Sequence, residues 1–338
     1  MNTAEILEKC QTLPGVTVHM QPNCAELRLS TDGGTGRMCF LPLFPGITLA
    51  LIEVHAPSWP APEPDRPTPD AKGPLIVNYC IRGRCELVLN DSRSVFLTSG
   101  QISLTERFAQ NAYVYPGRLY EGVELFIDPE VSAAGLPLLR DHFDLDLTAL
   151  GRRYCPQGGT FIAPMSLPDH LLERLWTPSG PEDPLCAAGR KTAVLDLLAL
   201  LLHGSPQPQA APLTYFTKSQ IEITRRIEAM ISADLSRPRT VGELARQFAV
   251  SESSVKNYFR GVYGQSIAQY LQQRRMEQAA ALLSSTRLPV VEVAAQVGYE
   301  SQSKFSAAFR RKYGSTPLEY RRARNLPAQN AENRPETP

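Results

Sequence analysis

No stretch of the 338-residue chain approaches the ~20 uninterrupted apolar residues that a membrane helix needs. The start, Met1-Asn2-Thr3-Ala4-Glu5, lacks the basic opening and apolar core of a signal peptide. A cytoplasmic protein with no membrane partner is expected. Cysteine is sparse and poorly spaced: all seven (Cys10, Cys24, Cys39, Cys80, Cys85, Cys155, Cys186) precede residue 187, their number is odd, and no CxxC occurs. That argues against a disulfide framework and a zinc ribbon. The thiols read as reduced core residues, with redox sensing at Cys80 and Cys85 left open. Only five histidines occur (His19, His55, His142, His170, His203), scattered and without an HxH element and following Glu. No metal and no cofactor are expected. Gly33-Gly34-Thr35-Gly36 is a hairpin loop rather than a GxGxxG, and neither a nucleophile elbow nor a phosphate loop is present, so no enzyme is expected.

The formal charge of +1 hides a division. Residues 213 to 325 carry 18 Lys and Arg against 9 Asp and Glu, a net of +9, whereas residues 1 to 212 carry 16 against 23, a net of −7, and residues 326 to 338 carry 1 against 2, a net of −1. The second segment suits a polyanion and the first does not.

The first ~130 residues hold short apolar or alternating runs between turn residues: Arg37 to Leu43, Ile47 to His55, Leu75 to Ile81, Cys85 to Leu89, Ser94 to Thr98 and Gly122 to Ile127. Arg82-Gly83-Arg84 and Asn90-Asp91-Ser92-Arg93 lie between such runs and read as hairpin turns. A small antiparallel barrel or sandwich follows. Seven prolines from Pro57 to Pro74 mark an extended insertion, with Trp59 either folded back or offered to a partner. Tyr79, Tyr113, Tyr115 and Tyr120 either fill the core or hold an organic ligand, so no effector-binding residues are assigned.

From Pro129 to Gly204 the pattern is helical, and Cys186 to Leu202 spaces Val194, Leu195, Leu198, Leu201 and Leu202 by three and four. That face packs on the β-rich part or forms a dimer; both readings stand. Gly204 to Pro212 has no apolar period and reads as a linker.

Beyond it the chain repeats. Glu243-Leu-Ala-Arg-Gln-Phe-Ala matches Glu292-Val-Ala-Ala-Gln-Val-Gly at an offset of 49, and Val255 to Gly264 matches Phe305 to Gly314 at an offset of 50. Each copy is a short helix, a turn, and a second helix opened by Ser, the pattern of a helix-turn-helix. Ser219 with Glu222 and Thr240 with Glu243 have the spacing of capping boxes. If Val255 and Phe259 face inward, Ser253, Lys256, Asn257 and Arg260 face outward; around Phe305 and Phe309 the outward set is Gln302, Ser303, Ser306, Ala307 and Arg310.

Asn257 and Gln302 suit adenine, Lys256 suits guanine, Ala307 suits a thymine methyl, and Ser253, Ser303 and Ser306 complete the base-reading set. Arg260, Lys304, Arg310, Arg311 and Lys312 are placed at phosphates. Ser254 and Lys304 read equally well as solvated positions. A helix from Ser266 to Leu283, with Ile267, Leu271 and Leu282 on its apolar side, connects the two units.

Residues 215 to 325 resemble the AraC/XylS family of transcription regulators. The resemblance rests on Leu244-Ala245, Ser251, Phe259, Gly264, Tyr270-Leu271, Arg275, Ala279, Leu282-Leu283, Val293-Ala294, Val297-Gly298-Tyr299, Phe305, Phe309-Arg310-Arg311, Gly314, Pro317 and Tyr320-Arg321. Ala249 stands where that family usually has glycine. The resemblance implies double-stranded DNA, a small-molecule effector, RNA polymerase and a second copy of the chain as partners, activation of transcription, and a cupin-like N-terminal barrel.

The expected fold is α+β with two domains. Residues 1–204 form a β-barrel with helices from about 130, 205–216 a linker, 217–325 an all-α domain with two helix-turn-helix units, and 326–338 a disordered tail. The alternative is a small-molecule-binding or enzymatic cupin-like protein with an accessory DNA-binding module.

Overall fold

The computed structural model describes residues 10–60, 74–89, 91–106, 112–176, 184–204, 213–237 and 239–325. The insertion from 61 to 73, most of the linker (205–212) and the tail from 326 lie outside them. Two compact units divide between Lys218 and Ser219.

The first unit is built on antiparallel strands β1 (Val16–Gln21), β2 (Cys24–Thr31), β3 (Gly34–Phe44), β4 (Ile47–His55), β5 (Ser58–Pro60), β6 (Leu75–Val88), β7 (Ser94–Thr98), β8 (Gln101–Thr105), β9 (Ala112–Val114), β10 (Tyr120–Ile127) and β11 (Thr160–Pro164). The main sheet runs β1-β2-β3-β4-β10-β6-β8-β11, with β7 paired to β6 and a separate β5-β9 ribbon. The sheet is therefore open, and no ladder joins β1 to β11 among the described residues. This corrects the expected β-barrel.

The reason is legible in β4, where Leu49 and Leu51 join one core cluster and Ala50, Ile52 and Val54 another. A strand apolar on both sides needs cover on both faces. Helices α1 (Pro129–Gly135), α2 (Pro137–Phe143), α3 (Leu147–Tyr154), α4 (Asp169–Leu175) and α5 (Pro184–His203) follow β10, and leucines from α2 to α5 enter the first cluster. Val194, Leu198 and Leu201 of α5 are buried there, so its main apolar stripe packs inside the unit.

Arg82-Gly83-Arg84 is not a turn. Gly83 (φ 93°) lies inside the 14-residue β6, where a Cβ would come within 2.0 Å of the Leu119 carbonyl oxygen. The pairing with β10 shifts register two residues earlier, at Ile81, and residues 84 to 88 pair with β7. The expected helical region is also interrupted by β11, which pairs with β8. Thr31 pairs with Gly34 across Asp32-Gly33, which makes the glycine-rich segment a tight hairpin. Trp59 folds back, 2% exposed, in the β5-β9 ribbon.

The end of the expected linker is docked. Phe216 is buried and exchanges both backbone hydrogen bonds with Ser94 at 2.8 Å, while Arg93 lies over the Tyr215 ring.

The second unit contains α6 (Lys218–Ala233), α7 (Val241–Phe248), α8 (Glu252–Tyr263), α9 (Ile267–Ser285), α10 (Val290–Gln296), α11 (Gln302–Tyr313) and α12 (Pro317–Asn325). One core gathers Ile227, Leu244, Val255, Phe259 and Tyr270; the other gathers Met276, Leu283, Val293, Phe305 and Phe309. Helix α9 serves both. It buries Tyr270, Met276, Ala279, Ala280 and Leu283, while the expected Ile267, Leu271 and Leu282 are only half-buried. The Thr240–Glu243 box forms; Ser219 instead lies inside α6.

Candidate nucleic-acid interface

The second helix of each helix-turn-helix unit is held by local chemistry before any long-range packing. Ser251 caps α8 by accepting from the Ser254 amide at 3.0 Å, and Ser301 caps α11 by accepting from the Lys304 amide at 3.4 Å. Gly264 and Gly314 close the helices, each with a φ of 73°. The turn before α8 needs a left-handed residue and takes it from Ala249 (φ 52°), where the second copy uses Gly298 (φ 81°).

The duplication extends further than the matched segments. Phe259, Tyr263 and Tyr270 form an aromatic trio with centroids 4.6 to 5.4 Å apart, and Phe309, Tyr313 and Tyr320, each 50 residues on, form another at 4.7 to 5.2 Å. The box Ser266–Gln269 at the start of α9 recurs as Thr316–Glu319 before α12. These boxes were missed at the sequence level because they lie past the second helix of each unit. Their signal is the same 50-residue offset.

With Val255 and Phe259 fully buried, Ser253, Lys256, Asn257 and Arg260 are exposed on α8. With Phe305 and Phe309 buried, Gln302, Ser303, Lys304, Ala307, Arg310, Arg311 and Lys312 are exposed on α11, and Ser306 is half-buried. Two side chains already have intramolecular partners: Lys256 pairs with Glu252 at 3.5 Å, and the Ser253 hydroxyl meets that of Ser251 at 2.8 Å. Lys312 turns toward α9, with Nζ 3.2 Å from Glu277 and 3.4 Å from the Gln273 carbonyl.

Not every cation of the basic segment serves a surface. Arg275 donates to the Leu235 carbonyl at 2.9 Å and lies over Tyr299, and Arg321 donates to the carbonyls of Leu283 and Leu288. Burial holds the Arg275 guanidinium below its ordinary value. Exposed cations outside the expected set are Lys218, Arg225, Arg226, Arg237, Arg239, Arg246, Arg287, Arg322 and Arg324. Only the overall basic count signalled them.

Burial pushes the Cys80 thiol up to about 12 and Cys85 well above its ordinary value, the opposite of a reactive thiolate. Tyr115 and Tyr120 are buried and stacked, so they fill core. No His/Cys/Asp/Glu cluster suited to a metal occurs among the described residues. No described helix is long and apolar enough to cross a membrane.

A family model described as a helix-turn-helix domain matches residues 244–323. The regulatory protein SoxS of Escherichia coli (strain K12) is 33% identical over 103 residues, covering 30% of this chain and 96% of SoxS. The HTH-type transcriptional regulator AlkR of Acinetobacter baylyi is 37% identical over 93 residues, 28% of this chain and 30% of AlkR. Among solved structures, the C-terminal domain of the response regulator AraT from Geobacillus stearothermophilus is 35% identical, covering 33% of this chain and 93% of that one, with a TM-score of 0.30. The duplicated capped helices and the near-complete match to SoxS lead to one conclusion: the chain belongs to the AraC/XylS family of DNA-binding transcription regulators.

Proposed function

We propose that the chain reads two boxes of double-stranded DNA, one with each helix-turn-helix unit, and activates transcription under the control of a small-molecule effector bound by its N-terminal unit. The observation that carries the DNA reading is the pair of equivalent exposed faces on α8 and α11. Ser253, Lys256 and Asn257 read one box; Gln302, Ser303, Ser306 and Ala307 read the other. Arg260, Lys304, Arg310 and Arg311 supply phosphate contacts that fix register. RNA polymerase and a second copy of the chain are the protein partners of this reading. Support for effector control comes from family membership and from the separate N-terminal unit, which would respond only to a ligand that binds one conformation more tightly.

The test is selection of random duplexes by the full chain. Two enriched boxes are expected, with Asn257→Ala relaxing one and Gln302→Ala the other. Retention of duplexes without any enriched sequence would reduce the interface to phosphate contact and sink the direct-readout reading.

A further inference from the structure

Lys312 sits in the basic last turn of α11 beside Arg310 and Arg311, yet its surroundings differ from those of Arg311. Its Nζ lies 3.2 Å from Glu277 Oε1 and 3.4 Å from the Gln273 carbonyl, both on α9. Glu277 is engaged on both oxygens, since Gln273 donates to Oε1 at 2.9 Å and Arg274 to Oε2 at 2.8 Å. The side chains of Arg274, Lys312 and Glu277 are only 23%, 31% and 33% exposed. Arg311 and Lys312 are both exposed residues, but Arg311 makes no ion pair among the described residues.

The duplication supplies a second, independent observation. The position equivalent to Lys312 in the first copy, 50 residues earlier, is Val262, buried at 1% exposure. That position therefore faces the interior of its half. The position equivalent to Glu277, 49 residues earlier, is Glu228, which accepts from the Tyr270 hydroxyl and the Ser232 hydroxyl, both at 2.6 Å, and so ties α6 to α9. An acid at the same place in each half fastens α9, once to the helix before it and once to the reading helix after it. Withdrawing Lys312 toward a phosphate would leave a half-buried carboxylate short of one cation.

We propose that Lys312, through Glu277 and Arg274, is a positioning residue that holds the second reading helix against α9. It thereby sets the separation at which the two reading helices meet the duplex. The inference rests on the two-box reading above.

The experiment uses the full chain and two kinds of duplex. One kind carries the two boxes that the chain enriches, with their separation varied in single base-pair steps; the other is a generic duplex without boxes. Lys312→Met and Glu277→Gln are expected to flatten the preference among separations while leaving the slope of log affinity against log salt within a few tenths of the parent's. Lys312→Arg is expected to keep both. Arg311→Met, the phosphate control, is expected to reduce the slope by about 0.9 with the separation preference intact.

A Lys312→Met chain that loses about 0.9 of slope and keeps its separation preference overturns the proposal. If the parent enriches no boxes, the direct-readout reading fails by itself, and the slope on the generic duplex still decides whether Lys312 touches phosphate.

Discussion

Ala249 adopts φ 52°, ψ 43°, a left-handed conformation that costs an L-residue roughly 1–2 kcal/mol. Its counterpart in the second copy, Gly298, takes φ 81° without that penalty. Ala249→Gly is therefore expected to raise stability by about 0.5–1 kcal/mol, after the added chain entropy of glycine, as read by denaturant unfolding. Glu124 presents the opposite case, a group whose burial depends on its protonation. Burial pushes its carboxyl up to about 7, and the Asn78 amide, 2.6 Å away, offsets only part of this. The folded-state value lies above the ordinary 4.5, so between those limits the folded state binds the extra proton and stability falls as pH rises. Glu124→Gln should thus gain on the parent chain by up to about 3 kcal/mol between pH 4 and pH 8. A gap in thermal midpoint that stays constant over that range would contradict the assignment.

The helix termini of the second unit are specified locally and twice over. Thr240 and Thr316 each accept from the amide three residues on, while Glu243 and Glu319 accept from the threonine amides. Those backbone donors hold both carboxyls below the ordinary carboxylate range. Thr240→Ala and Thr316→Ala should each cost about 1 kcal/mol in chemical denaturation of the full chain. In the first unit, residues before α6 are secured by pairing with a strand. Phe216 bonds Ser94 of β7, packs edge-on against Phe96, and Ser94 in turn donates to the buried Glu86 at 2.7 Å. The amides of Ser94 and Phe216 should exchange with deuterium together and slowly. Phe216→Ala should speed both and cost about 3 kcal/mol.

Across the whole chain, charge is partitioned along the sequence, with +9 on residues 213 to 325 and −7 on residues 1 to 212. If Arg260, Lys304, Arg310 and Arg311 each neutralise one phosphate, log affinity should fall against log salt with a slope of about −3.6, or roughly 100-fold between 50 and 200 mM. A binding titration in that salt range checks it; a slope near zero would remove the phosphate set.

Much of the DNA-reading half was readable from the chain alone, because its information is local. The 49- and 50-residue offsets, the capping serines and the placement of Val255, Phe259, Phe305 and Phe309 follow from helical period and cap chemistry, which depend on near neighbours. The hairpin at Asp32-Gly33 and the limits of β4 and β7 were legible for the same reason. Gly83 misled because a glycine inside a bent strand and one in a turn have the same local pattern; only pairing with β10 and β7 separates them. The open sheet likewise depends on helices far along the chain from β2 and β3. Composition marked the segment as basic. Tertiary packing decided which cations take intramolecular partners: it drew Arg275 and Arg321 to backbone carbonyls and Lys312 to Glu277, because carbonyls and a carboxylate left at helix junctions need donors that no local pattern supplies.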